Sequence, residues 1–290
     1  MSTAPLPIAT ARRRRSGLVF VRATGPAGIT SAVVIGAAML VAVLGPTLAP
    51  ETPYLGQLSY SYVGPTAGHP LGFDGQGRDL LSRLLVGART SMLGPLGVVL
   101  ICILVGTLLA VSAAWRRGSY DAFVSSGLDV LFAFPGILLA ILAATVFGVG
   151  LAAATLALAV AYTPYVARVL RGAALRERSQ QYVAALEVQG ASAVSICLRH
   201  LIPNMLPLIV AQATILFGYA MVDLAAISFL GLGVQPPNPD WGVMISENQS
   251  GVVQGYPLSA LAAGICIVLV VVAFNILGER LYEQAQAERR

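Results

Sequence analysis

Asp223 is the first residue to weigh for chemistry, because it is the one charged side chain in a stretch running from about 204 to 230. An acid within a bilayer is costly and often marks an ion or substrate path. It could be a proton or ion site. It could equally face the interior of a helix bundle, hydrogen-bonded and neutral. No histidine or basic residue is near it in sequence, so a proton relay lacks a second member. The histidines, His69 and His200, are isolated, and Cys102, Cys197 and Cys266 are far apart without CxxC or Cys/His spacing. They read as inert thiols, with no metal site. There is no GxxxxGK[ST] loop, no Lys anywhere, no HExxH and no GxSxG. No catalytic residue and no cofactor are therefore assigned to this chain.

Three polar segments remain. In HPLGFDGQGRDLLSRLLVGARTS, residues 69–91, Leu80, Leu81, Leu84, Leu85 and Ala88 share one helical face. Asp79 and Arg83 stand four apart, the spacing of an i, i+4 ion pair. The segment reads as an amphipathic helix in the outer interface, either a collar or a docking surface. GLGVQPPNPDWG, residues 231–242, is built from turn formers; Pro236, Pro237 and Pro239 stiffen it, and Trp241 suits a membrane interface. It is an interfacial loop or a binding loop. In YVAALEVQGASAVSICLRHLIPN, residues 182–204, Val183, Leu186, Gly190, Val194 and Leu198 form an apolar stripe at spacings of three and four. Gly190 suits a bend between two short helices, and Pro203 the first turn of the next span. The stripe lies on the membrane surface or is reserved for a partner protein; amphipathicity alone leaves both open.

The elements that position these segments follow from composition. Of 290 residues, 57% are hydrophobic and 11% charged, less than half the charge of an ordinary soluble domain. The chain is an integral membrane protein. Residues 12–22 look like the charged start of a signal peptide, but the run Ala23–Pro50 holds 28 uncharged residues, beyond a signal core of about 7–15. It reads as a retained first span, near 28–49. A second lies near 92–114. The uncharged run 130–167 is roughly 57 Å as helix, enough for two crossings. It should break at Gly148-Val149-Gly150, giving spans near 124–147 and 151–170. A fifth runs from about 204 to 230, and a sixth lies within 248–278.

All 18 basic residues are Arg, and 15 of them fall on one side of these six spans, against Arg78, Arg83 and Arg89 on the other. The positive-inside rule makes the first side, with both termini, cytoplasmic. The arginines punctuate apolar runs rather than lining a face, so nucleic acid is no partner. The expected layout is a cytoplasmic tail 1–27, a first span 28–49 and an extracytoplasmic segment 50–91. A five-helix core, 92–280, follows, with a cytoplasmic loop at about 171–203 and an outer loop at about 231–256. A cytoplasmic tail, 281–290, ends the chain.

At residues 182–204 the sequence resembles permease subunits of ABC importers, in the branch that carries peptides and nickel. That family has a cytoplasmic Glu-Ala-Ala loop with a Gly and a Leu-Pro at set spacing. Gly190 and Pro203 are 13 apart, as in that pattern, and YV (182–183), GAS (190–192) and RHLIPN (199–204) match the branch. Ala184 stands where the family has Glu, Leu186 replaces its second Ala, and Ile202 its Leu. HPLGFDGQGRDLLSRLLVGART is similar to HPLGTDxxGRDxxSRxxxGAR, and SFLGLGVQPPNPDWG, residues 228–242, to SFLGLGxxPPxPxWG. The combination is similar to the dipeptide and oligopeptide "C" subunit, the second of two paired permeases.

The resemblance implies an all-α, six-span type I permease bundle in the plasma or inner membrane. A homologous second permease, two ATP-binding cassette ATPases and an extracytoplasmic substrate-binding protein would be its partners, with ATP and Mg held by the ATPases. It makes Tyr182, Val183, Leu186, Gly190, Ala191, Ser192, Val194, Arg199 and Pro203 the ATPase-coupling loop. Asp79, Arg83, Pro236, Pro237 and Trp241 become candidate contacts for the binding protein. The competing readings are an ion-gradient transporter using Asp223 and a non-transporting membrane scaffold.

Overall fold

A computed structural model describes residues 25–287, with side chains to Gln284. The expected arginine-rich tail (Arg12 to Arg15 and Arg22) and Arg289 and Arg290 lie outside the described residues. Among the described residues the fold is helical, with two isolated β-bridges and no strand. Helix α1 spans Gly25–Leu48, α2 Leu80–Arg116, α3 Gly118–Phe132, α4 Gly136–Phe147 and α5 Leu151–Arg178. Then come α6 at Gln181–Val188, α7 at Ala193–Ile196 and α8 at Ile202–Phe229. Helices α9 at Trp241–Glu247, α10 at Gln249–Val253 and α11 at Leu258–Ala287 complete the chain. Among the described residues five helices are long and apolar enough to cross a membrane, six if the α3–α4 pair counts as one span.

Span three is broken. Helices α3 and α4 meet at 82°, a break inside the expected span 124–147 that hydropathy did not place. The cause is Pro135: it lacks an N–H to continue the helix, and its own ψ of 133° turns the chain before α4. The expected turn at Gly148-Val149-Gly150 is also present, with Gly148 and Gly150 at φ of 86° and 152°. Gly150 N donates to Leu232 O at 3.1 Å, tying this turn to the outer loop.

Helix α2 packs along α5, and α8 along α11. The α2–α5 seam uses small residues, as membrane helices do where attraction comes from close backbone approach. Ala110, Ala113 and Ala114 are buried on one side, and Ala159, Ala167, Ala173 and Ala174 on the other. At Gly106 a Cβ would sit 2.7 Å from Val166 Cγ1, so only glycine fits. Exposed Val, Leu and Phe side chains cover the outward faces of α1, α2, α4 and α11, as a bundle in lipid or against other apolar chains requires.

Two further expectations need correction. The interfacial helix within 50–91 is not separate: from Leu80 the chain runs through 37 residues of α2, across the expected boundary at 91–92. The turn formers end at Asp79, whose side chain accepts from Ser82 N at 2.7 Å and starts the helix. Likewise, α7 is no second short helix. It continues through a wide π-helical turn, Cys197–Leu201, into α8, forming one helix over Ala193–Phe229.

Candidate functional site

The segment 181–204, expected on the cytoplasmic side, is an elbow with one short arm, α6, and one long arm, α7–α8. Its corner is built by Gly190, at φ 81°. Gly190 N donates to Glu187 O and Ala191 N to Leu186 O, both at 3.0 Å. That pair of bonds is the Schellman ending, which needs a left-handed residue at the glycine position. Ser192 then starts the second arm, its Oγ accepting from Ser195 N at 3.3 Å. Pro203 lies in the first turn of α8, directly after the π-helical turn that carries α7 into it.

The elbow is clamped to both spans. Tyr182 Oη donates to Glu177 Oε1 at 2.8 Å, and Asn204 Nδ2 donates to the same Glu177 oxygen at 2.9 Å and to Tyr182 Oη at 3.1 Å. These three side chains join the end of α5, the short arm and the start of α8. Burial, then the bond to Glu177, pushes the Tyr182 phenol up to about 12. Arg178 extends the clamp, donating to Ala114 O at 3.0 Å and lying over the Trp115 ring.

The apolar stripe divides in two. Val183 is buried, with Ile196 and Leu201, and these anchor the elbow; Leu186 and Ala191 are packed against the core but keep part of their surface open. Val188, Val194 and Leu198 project outward at 89%, 67% and 56% exposure. Arg199 is also exposed. Val188 was not on the predicted stripe, because the bend at Gly190 rotates the two arms relative to one another.

On the side expected to face outward, Asp79, Arg83 and Trp241 are 2%, 0% and 4% exposed. They are internal ties rather than a contact surface; Pro236 and Pro237 are exposed. The expected Asp79–Arg83 pair does not form. Asp79 Oδ1 instead lies 2.8 Å from His69 Nδ1. Arg83 donates to Glu247 Oε2 at 2.6 Å and Pro53 O at 3.0 Å. Its Nε is 3.4 Å from Asp74 Oδ2, within ion-pair range but without hydrogen-bond alignment.

Arg78 completes this group, donating to Asp74 Oδ2 at 2.7 Å and Glu247 Oε2 at 2.8 Å. Burial alone would lower its pKa, but the bonds to Glu247 and Asp74 outweigh burial and raise it. Two cations and two anions thus join the 51–79 segment to the end of α9, with Asn248 Oδ1 accepting from Gly75 N at 3.0 Å. Nearby, Asp240 accepts from Gly242 N, Val243 N and Ser91 Oγ, and burial pushes its carboxyl up. Trp241 Nε1 donates to Leu84 O at 3.1 Å.

Asp223 is half-buried in α8. Tyr162 Oη, from α5, donates to its Oδ2 at 2.6 Å. Both line an open cleft of about 420 Å³ with Phe132, Phe134, Tyr165 and Tyr219. The break in span three supplies the phenylalanines. Sequence spacing gave no sign of Tyr162, Glu177, Asn204 or Glu247, whose partners are dozens of residues away or more in all but one case; Glu177 and Tyr182, five apart, were the one local cue. Among the described residues no group of three His, Cys, Asp or Glu is arranged to hold a metal.

Residues 103–286 match the family described as binding-protein-dependent transport system inner membrane component. The chain is 39% identical over 218 residues to the glutathione transport system permease protein GsiD of Pectobacterium atrosepticum, covering 75% of this chain and 72% of that one. It is 34% identical over 253 residues to the dipeptide transport system permease protein DppC of Alkalihalophilus pseudofirmus, covering 87% and 83%. Its fold is similar to a chain of the MetNI methionine ABC transporter in an inward-facing conformation. There the TM-score is 0.57 at 21% identity, over 70% of this chain and 96% of that one.

Proposed function

This chain belongs to the family of binding-protein-dependent transport system inner membrane components, and from that premise we propose how it works and what it carries. It is a multi-pass permease subunit of an ATP-driven importer in the plasma or inner membrane. The cargo is a peptide: the relatives' names point to dipeptides and glutathione, and nothing in the residues favours one of these over the other. A homologous permease completes the path, two cassette ATPases sit on the cytoplasmic side with ATP and Mg, and an extracytoplasmic binding protein delivers cargo. The chemistry of ATP belongs to those partners; this chain transmits it and is no enzyme. Family membership also favours ATP over an ion gradient as the driving force.

The observation that carries the coupling role is the elbow. Val188, Val194 and Leu198 are exposed apolar groups held on a corner that Tyr182, Glu177 and Asn204 fix to two spans. An exposed apolar group on a rigid mount suits docking into a groove of a partner. Closure of the ATPase pair on nucleotide would then tilt both spans together. Nucleotide shifts the equilibrium only through its differential affinity for the two states.

The test is disulfide or bismaleimide cross-linking of Val194→Cys and Leu198→Cys to the co-expressed ATPases. The expected result is a nucleotide-sensitive cross-link at both positions. Cross-links to neither, in a complex that still pumps, would remove the elbow from the mechanism. Gly190→Leu should insert normally yet hydrolyse ATP without uptake; normal uptake by that variant would count against the same reading.

A further inference from the structure

The cleft beside Asp223 has a chemistry that the coupling role leaves unused. Its lining combines one carboxylate with the rings of Phe132, Tyr162, Tyr165 and Tyr219. Tyr165, Tyr219 and Phe132 line it and are 38%, 54% and 51% exposed. Among the described residues no basic side chain pairs with Asp223, and its one hydrogen bond comes from Tyr162. Of the other described acids in a long span or the broken pair, Asp121 pairs with Arg171, Asp129 lies 2.6 Å from Arg168, and Glu177 accepts from Tyr182 and Asn204. Glu279 and Glu283 lie near the cytoplasmic end of α11, where Glu283 meets Arg280 at 3.2 Å.

Asp223 lies six residues before the end of α8 at Phe229, about 9 Å from the outer end of that helix. A carboxylate there is expensive unless a cation visits it. Aromatic faces attract cations through their quadrupoles, most strongly where water is scarce. Tyr162 fixes one carboxylate oxygen and leaves the other side of the group toward the cleft.

We propose that this cleft is a transit site for the protonated amino group of the cargo, with Asp223 as its counter-ion and Tyr165, Tyr219 and Phe132 as its aromatic wall. The inference rests on the importer reading and deepens it. It assigns to the permease, beyond whatever the binding protein selects, a preference for cargo bearing an ammonium. Tyr162 is a positioning residue: it orients the carboxylate and need not touch the cargo.

Two measurements decide the matter. In the first, Ala161→Cys is placed in the cleft wall of a chain carrying Cys102→Ala, Cys197→Ala and Cys266→Ala, within the assembled complex. Its reaction rates with a quaternary-ammonium and a sulfonate methanethiosulfonate are compared. Asp223 should favour the cationic reagent by on the order of tenfold, and Asp223→Asn should bring the ratio close to that of a small free thiol. An unchanged ratio overturns the proposal.

In the second, the reconstituted importer takes up alanyl-alanine or its N-acetyl form with the same binding protein. Asp223→Asn should lower uptake of the free dipeptide by about tenfold and leave the acetylated one within twofold. Equal losses for both would overturn it. If wild-type importer shows no ATP-dependent uptake of either compound, the importer reading fails for this cargo class, while the reagent ratio still reports on the cleft.

Discussion

Removing Glu247 should release the outer segment 51–79 from the bundle. Glu247 holds two arginines that are 2% and 0% exposed, and is itself 10% exposed. Its contacts measure 2.6 Å to Arg83 and 2.8 and 3.3 Å to Arg78. Glu247→Ala leaves two buried guanidinium groups facing one carboxylate, Asp74. Breaking a buried pair by deleting one partner costs about 3–5 kcal/mol. Asp74 still neutralises Arg78 at 2.6 Å, so the lower end, about 3 kcal/mol, applies. That corresponds to roughly a hundredfold rise in local opening.

The assay is hydrogen exchange on the Gly75 and Phe73 amides, which bond Asn248 Oδ1 and Val63 O across this segment. Both should exchange about a hundredfold faster in Glu247→Ala. Arg83→Met with Glu247→Leu should recover much of the loss, because it removes a cation with the anion. Glu283→Gln, from an exposed pair with Arg280, should leave both amides unchanged. A rise below threefold for the single variant, or a double variant as open as the single, would refute the charge accounting.

Gly190 has no atom within 4 Å of where a Cβ would lie, so substitution acts through φ alone. Gly190→Ala should cost about 1–2 kcal/mol of the bent state and Gly190→Asn less, so uptake per ATP should rank Gly, Asn, Ala. The Tyr182 phenol ionises at about 12 in the fold, against an ordinary value near 10. Its preference for the neutral donor is therefore complete below pH 10 and lost as pH rises from 10 through about 12. The phenolate absorbance difference between wild type and Tyr182→Phe should show that late midpoint, and elbow coupling should be flat between pH 6 and 9. Asp240→Ala should cost at least about 1 kcal/mol through the lost helix cap, read as a lower unfolding midpoint in detergent. Asp240→Asn, which keeps an accepting oxygen and has no buried charge, should stay near wild type.

The sequence made legible whatever depends on local chemistry. The number of spans came from hydropathy, and the corners at Gly148 and Gly190 from glycines flanked by regular patterns. The break at Pro135 was missed because a hydropathy run is blind to a kink inside it, although Phe-Pro-Gly was in plain view. The start of α2 was misjudged since the same leucines that suit an interfacial face also suit a buried first turn. Burial of Arg83 could not be anticipated: Glu247, its partner, is 164 residues away, and i, i+4 spacing pointed to Asp79 instead. The Asp223–Tyr162 bond, across 61 residues, was hidden for the same reason.

The unjointed passage from α7 into α8 has a mechanical consequence. Val194 and Asp223 stand 29 residues apart on one continuous helix, Ala193–Phe229, about 44 Å along a single rod. A tilt of about 10° pivoting at the cytoplasmic end would sweep the distant carboxylate sideways by about 8 Å, more than the width of a peptide backbone. Rotation imposed by the engine and motion of the grip on the passenger would then be one tilt of the same beam, with no relay between them to slip.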